Sequence, residues 1–396
     1  MQATIPKEFI KLKKYGMKNK FLYLLLVATY LVSCTEQVSK KVLKPLSFKV
    51  ISDISEIVDT IEIVELEPNS NSYISEVLKL IETRDGQYIV KDISKITVFD
   101  SKGRFVKNIG KFGQGPGEFS YVNDIALNSG QDAVLVLDAF NQVYSYALAD
   151  GSFLGKIKYE GARNKNYDAI APSSGRDLFL SATNPLNSKN SFDNSFYCLD
   201  LYSSDGKLKS SFLCQNDFLF NPNRITRSYD GSYFVRPLEG TQILYRIENG
   251  SLREDYIIDF EGKNIPVQHI FSFGNNPWEH IQDYIKSPYF KLPMGFLETK
   301  EYLYFYCSGD DGATHEFLFN KKTFKGVRWK NDGETQLRLY SSDCEYFKTI
   351  TFWSNKEIGE KSNDTNPMLL LVSKFLPKSH FMDEDQLLLK IRLKIE

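Results

Sequence analysis

"VFDSKGRFVKNIGKFGQGPGEFSYVNDIAL", residues 98–127, sets two strand-like runs around a crowd of glycines. Read one way, the glycines cradle a phosphate; read the other, they let the backbone turn. A phosphate loop needs G-x-x-x-x-G-K-[ST], with lysine and a hydroxyl completing the site. Here Lys111 precedes Gly113, Gly115 and Gly117, and Glu118 follows them. A carboxylate repels phosphate, and Pro116 withholds a backbone donor. No helical pattern follows to supply a dipole. The loop therefore carries the chain from the outer strand of one sheet to the inner strand of the next.

The first half of the stretch has its own grammar: an apolar run meets Asp, Asn or a small polar residue, then glycine (here Gly103), then a second strand-like run. The same order recurs in "YALADGSFLGKI" (146–157), "LYSSDGKLKSSF" (201–212) and "YRIENGSLREDY" (245–256). Glycine suits the left-handed turn position of a hairpin. Taking Gly103, Gly151, Gly206 and Gly250 as markers, the steps are 48, 55 and 44 residues. "LFNKKTFKGVRW" (318–329) reads as a fifth copy that has lost its turn glycine. A second set, "TRDGQYIVKD" (83–92), "NSGQDAVLVLD" (128–138), "SSGRDLFLS" (173–181), "SYDGSYFVRP" (228–237) and "ETKEYLYFYCS" (298–308), pairs a polar turn with a strand. These strands are apolar nearly throughout, which implies burial on both faces.

About four strands per roughly 45 residues describe a propeller blade. Blades fall near 73–119, 120–165, 166–217, 218–266 and 286–335. "CEYFKTITFW" (344–353) and "NPMLLLVSKFLPK" (366–378) are too short for another alone, and "LSFKVISDISEIVDTIEIVELE" (46–67) supplies the missing strand. The expected fold is all-β, a six-bladed β-propeller closed by strands from both termini, which leaves no open edge at the seam. "NNPWEHIQDYIKSPYF" (275–290) predicts a short helix between blades four and five. Asn276 caps it, Pro277 opens it and Glu279 completes the capping box. Trp278, Ile281 and Ile285 share a face, expected to cap one end of the ring.

The 98–127 stretch resembles an NHL-type repeat, whose units join a D-x-x-G hairpin, a glycine-rich connector ending in phenylalanine, and an inner strand. Val122 departs from it, standing where such units carry proline. "DISEIVDTIEIVELEPNSNSYISEVLKL", together with that loop, resembles the six-bladed propeller lipoproteins abundant in Gram-negative gut bacteria, and "SNDTNPMLLLVSKF" fits their closing strand. The likeness spans residues 43–378 and is most specific near 50–125. It implies a propeller in the cell envelope and no settled activity.

The N-terminus agrees with that address. From Met17, Lys18 and Lys20 lead into an apolar run, Phe21 to Val32, and then Ser33-Cys34. This is an export signal, too short for a comfortable span of about 20 residues. Leu31 to Cys34 resembles a lipobox, which makes Cys34 the lipidated residue. Residues 1–33 are then the signal peptide, 34–45 a polar tether and 46–396 the propeller. The expected location is the outer membrane, with the periplasmic face favoured.

Of 396 residues, 42% are hydrophobic and 14% aromatic, enough for a large strand-built core. Six lysines and one glutamate lie in the first 33 residues, so the mature part holds 43 basic and 49 acidic side chains, a net of −6. That balance argues against a nucleic-acid partner. Cys198, Cys214, Cys307 and Cys344 form no C-x-x-C pair, so a zinc site of the usual spacing is not expected. Cys198 and Cys307 sit in strand-like runs, where buried free thiols are expected; an exported chain also permits disulfides.

No catalytic constellation emerges. The histidines are His269, His280, His315 and His380, with no H-E-x-x-H and no G-x-S-x-G. Asp310, Asp311, His315 and Glu316 lack the alternating calcium-loop pattern and read as a solvated turn. Asp383 to Asp385 read as a charged tail. Asn123 and Asp124, Asn166 and Asp168, and Arg224 and Arg227 lie at or near inner-strand starts, and are the candidate channel-mouth ligands. Two functions follow. One is a lipid-anchored binding or interaction module for a peptide, glycan or envelope protein, with no cofactor. The other is a calcium-assisted hydrolase or lyase in the channel, by analogy with six-bladed calcium lactonases.

Overall fold

The computed structural model describes residues 41–52, 54–159, 165–173, 175–183, 196–215, 225–237, 240–270, 277–331, 338–352 and 385–395. Within them, six antiparallel sheets follow one another along the chain. From inner to outer strand, blade one is Lys79–Glu82, Tyr88–Lys91, Ile96–Phe99 and Phe105–Asn108. Blade two is Val122–Leu127, Ala133–Asp138, Gln142–Ala147 and Phe153–Lys158. Blade three is Asn166–Pro172, Leu178–Thr183, Phe196–Tyr202 and Leu208–Gln215. Blade four is Ile225–Arg227, Tyr233–Val235, Ile243–Glu248 and Ser251–Ile258, and blade five is Met294–Glu298, Tyr302–Ser308, Thr314–Asn320 and Gly326–Asn331.

Blade six is composite. Ser341–Ser342, Phe347–Phe352 and Gln386–Leu393 come from the C-terminal end, and the outer strand Val58–Leu66 comes from the N-terminal end. The last two pair antiparallel, with Glu62 opposite Lys390 and Ile63 opposite Leu389. The expected six-bladed propeller closed from both termini is thus the observed fold. The third strand of the closing blade differs from expectation, because it is Gln386–Leu393. The segment 366–378 lies outside the described residues, as does "SNDTNPMLLLVSKF". Asp385, read as part of a charged tail, is buried at the start of that strand.

Burial explains the near-continuous apolar runs. Every residue of Ala133–Asp138 is buried, because both faces of a middle strand pack against neighbouring blades. The core is divided accordingly. One cluster joins Ile81, Ile89 and Val98 of blade one to Ile125, Val136 and Tyr146 of blade two. Similar clusters fill each later junction. The last sets Leu66, Ile350 and Leu388 of blade six against Leu80, Tyr88 and Phe99 of blade one, which closes the ring.

Two strands went unforeseen. Lys41–Leu43 adds in parallel to the outer edge of blade four, and Lys49–Val50 to that of blade five. The N-terminal segment therefore straps blades four, five and six in succession. Lys41 to Leu43 fall inside the stretch read as a tether, and Leu43 is buried at 1% exposure. The predicted helix between blades four and five is present as Pro277–Lys286, after a short turn of helix at Val267–Ile270. Its cap residue Asn276 lies outside the described residues, as do the side chains of Trp278 and Ile281. Ile285 is half exposed. The helix is anchored by Tyr284, which packs on Ile265 and accepts the Leu292 N–H at 3.0 Å.

Cys307 is buried and Cys344 exposed, both as free thiols. The buried Cys198 thiol donates to the Leu213 carbonyl at 3.0 Å. Cys214, His380 and residues 1–40, Cys34 among them, lie outside the described side chains.

Candidate functional site

The inner strands of successive blades touch one another around the ring, blade six meeting blade one. They enclose a cavity of about 590 Å³. Leu80, Ile125 and Leu297 give it an aliphatic wall, and Tyr233, Tyr306 and Tyr340 add phenols. Its charged lining is Glu76, Lys79, Glu82, Arg227, Arg236 and Arg338. A cavity of this size and mixed lining falls in the range of small-ligand sites.

Tyr306 reaches this space because of one glycine. The inner strand of blade five slips register between Met294 and Leu297. Gly295 in that bulge has φ +62°, and a Cβ there would sit 2.1 Å from the Tyr306 ring. The bare backbone lets the ring lie flat over the strand. Burial raises the Tyr306 pKa, and Glu316 adds to the rise, while the Arg236 and Arg338 charges pull it back. Tyr340 is likewise raised by burial and opposed by Arg338. The Arg338 charge thus reaches both phenols, and the Arg236 charge reaches Tyr306.

The residues named from sequence fall in several places. Asn123 donates its side-chain amide to the Tyr167 carbonyl at 2.7 Å, stitching blade two to blade three. Asp124 is buried and accepts the Lys79 ammonium at 2.7 and 2.9 Å and the Ile170 N–H at 3.0 Å. Both of its oxygens are engaged by protein donors from blades one and three. Asn123 and Asp168 mark register shifts in their strands, and Asn166 is exposed at the start of blade three. Arg224 lies outside the described residues. Arg227 ends its inner strand, where it donates to the Glu82 carbonyl at 3.0 Å. The Gln131 side-chain oxygen, oriented to satisfy its donors, takes the other Arg227 nitrogen at 3.1 Å. Arg227 and Asn123 thus lie at opposite ends of the channel wall, not at one mouth.

Sequence reasoning passed over Arg236, Arg338, Tyr306 and Tyr340. A faint signal exists for one of them: Arg236 directly follows the fully buried strand Tyr233–Val235 and precedes Pro237. The others take their place from the bulge at Gly295 and from the closing blade, which no local pattern announces.

Two further charged clusters are internally satisfied. Arg246 bridges Asp255 at 2.8 Å and Glu298 at 3.0 Å, and Lys321 reaches Glu298 at 2.8 Å. This clamp ties blade four to blade five. In the His315 turn, Asp310 pairs with Lys263 at 2.7 Å and Asp311 with Lys330 at 2.9 Å. Glu316 is buried and accepts from Tyr304 and Asn331. Among the described residues, no group of three or more His, Cys, Asp and Glu is placed to hold a metal ion.

The connector at 109–119 shows what its glycines do. The Glu118 carboxylate folds back into the loop, accepting the Gly115 N–H at 2.9 Å and pairing with Lys111 at 2.7 Å. A Cβ on Gly113 would lie 1.8 Å from that carboxylate. The nest of backbone donors is filled by the chain's own anion.

Comparison with known proteins agrees with this architecture. No curated protein matches the chain. A solved structure from Bacteroides fragilis NCTC 9343, provisionally described as an exported protein, superposes with a TM-score of 0.68 at 17% identity. The match covers 88% of this chain and 100% of that one, and it carries the fold alone. Residues 48–373 match a family described as "Domain of unknown function (DUF4934)". With its six-bladed ring and the match running through most of its length, the chain belongs to the DUF4934 family.

Proposed function

We propose that this protein is a binding module of the bacterial cell envelope that takes its ligand into the central channel. The carrying observation is the cavity of about 590 Å³ that ring closure creates, with arginines and tyrosines against an aliphatic wall. Exposed aromatics extend the surface at the end where the inner strands begin. Tyr121 is 54% and Phe140 66% exposed, side by side through the Ala139 N–H bond to the Tyr121 carbonyl. Rings presented this way suit a glycan, a peptide or a partner protein.

The address belongs to the same proposal. The leader at Met17–Cys34 supports lipidation of Cys34 and residence at the outer membrane, with the periplasmic face favoured. The hairpin and connector grammar supports an NHL-like origin for the repeat. The calcium-assisted hydrolase reading has no comparable support, since the Asp124 oxygens are engaged by Lys79 and Ile170.

Thermal unfolding against panels of envelope glycans, peptides and calcium tests the binding role. A ligand at a hundredfold excess over Kd stabilises by about 2.7 kcal/mol. The proposal expects such a rise from an organic ligand and none from calcium. A rise from calcium alone would favour the hydrolase. For the address, Cys34→Ala should abolish acylation of the N-terminus and membrane recovery; a parent protein carrying an intact, unacylated Met1 would refute it.

A further inference from the structure

We propose that the chain carries a second binding site, for an oxyanion, at the guanidiniums of Arg84 and Arg227 where they converge on Gln131. A phosphate, sulfate or carboxylate group is the ligand class. The site shares Arg227 and Tyr233 with the main cavity and otherwise has its own lining. It goes beyond the binding-module reading and does not depend on it.

The argument starts from one turn. The hairpins that leave the inner strands of blades one, two and four each close with an N–H bond to the carbonyl three residues back. Gly86 bonds Thr83, Gln131 bonds Asn128 and Gly231 bonds Ser228. Two of these positions hold glycine, at φ +77° and +84°, but the third holds Gln131 at φ +58°. A left-handed backbone disfavours a residue with a Cβ, so the outlier points to a role for its side chain. The Gln131 oxygen, oriented to satisfy its donors, accepts from Arg84 Nε and Arg227 Nη2, both at 3.1 Å.

Two cations are thereby drawn to one neutral atom. Arg227 also donates to the Glu82 carbonyl at 3.0 Å, and neither arginine makes an ion pair with a carboxylate among the described residues. Like charges held this close repel. The amide oxygen orients them without cancelling their charge, as a carboxylate at 131 would. Neighbouring acids are turned elsewhere. Asp230 accepts the Ser232 N–H at 2.9 Å and its hydroxyl at 2.6 Å, and faces Arg246 at 3.8 Å. Asp132 accepts the Asn128 amide at 2.6 Å, and Asp85 is exposed and outside the lining. An oxyanion supplies the missing countercharge, because guanidinium N–H groups match two oxygens of one such group.

The surroundings suit a small polar ligand. A cavity of about 250 Å³ opens here, lined by both arginines with Ser129, Ser173 and Asn249 among its polar residues. Arg227 of blade four reaches Glu82 of blade one and Gln131 of blade two, so three blades converge on the site.

Isothermal titration of the detergent-solubilised full chain at constant ionic strength, with inorganic phosphate, sulfate, acetate and chloride, tests this. At least one oxyanion should bind more tightly than chloride, and the tightest names the group the ligand carries. Arg84→Gln should weaken that binding about tenfold, with an unchanged melting temperature because Arg84 is exposed. Gln131→Glu should weaken it at least as much while melting no lower than the parent, since its carboxylate takes the anion's place. Oxyanions that bind no better than chloride overturn the proposal, as does binding that Arg84→Gln leaves unchanged. A Gln131 that only staples the hairpins would leave anion affinity untouched in Gln131→Glu, which also overturns it. Arg84 does not line the main cavity, so a ligand found there by the glycan and peptide panels should bind Arg84→Gln as it binds the parent.

Discussion

At the scale of single residues, glycines in this chain mark places where something else needs the room. Gly113 yields to the Glu118 carboxylate, Gly295 to the Tyr306 ring, and Gly103 to the Glu65 carbonyl, 2.0 Å from where a Cβ would stand. The rule also has a counter-case. Phe324 takes φ +58° at the hairpin position that glycine fills in Gly151, and its ring packs edge-on against Phe319. A missing glycine was visible in the sequence; which residue bore the left-handed turn was not. The Glu118 contact yields a pH prediction. The Lys111 ammonium, then the Gly115 N–H, hold this carboxyl below its ordinary value. A folded pKa below the unfolded one contributes stability that is present above about pH 4.5 and lost as pH falls through the folded value. Glu118→Gln should therefore melt earlier than the parent at pH 7, with the gap closing in acid. Equal melting at both pH values would show that the loop gains nothing from its internal anion.

Among the elements, the four-stranded unit was legible because each middle strand is buried on both faces and each hairpin needs a special turn. The strap was not legible, since Lys41–Leu43 and Lys49–Val50 are too short to carry a pattern. They become strands only because blades four and five offer an edge. What fixes the strap is side-chain packing: Phe48 stacks on Phe319 at 6.0 Å and covers Gly326, whose Cβ would meet the ring at 2.4 Å. Phe48→Ala should cost about 3 kcal/mol. Gly326→Ala should destabilise the parent by about 1–3 kcal/mol through overpacking, and far less in the Phe48→Ala background. A double-mutant cycle by denaturant unfolding measures that coupling. Additive effects would mean that the strap does not lie on blade five.

For the whole molecule, one act of closure makes the cavity, buries the last blade junction and brings Arg338 into the same cavity lining as Arg236. The sequence carried the six-fold count and the origin of the closing strand, because both are written in repeat spacing. It did not carry the channel's chemistry. Asn123 and Asp124 bond across blades, whereas Arg236 and Arg338 come to line one cavity only after the chain has gone round. Ring closure is thus the claim on which the cavity and the strap both depend. Disulfide mapping of a Glu62→Cys/Lys390→Cys protein tests it, since these residues stand opposite each other in the closing blade. Mild oxidation should join the peptides bearing the two new cysteines in the folded protein, and not in one unfolded by denaturant. Folded protein that leaves both thiols free, or that links them no better than a register-shifted Ile63→Cys/Lys390→Cys control, would contradict a ring sealed by its two ends.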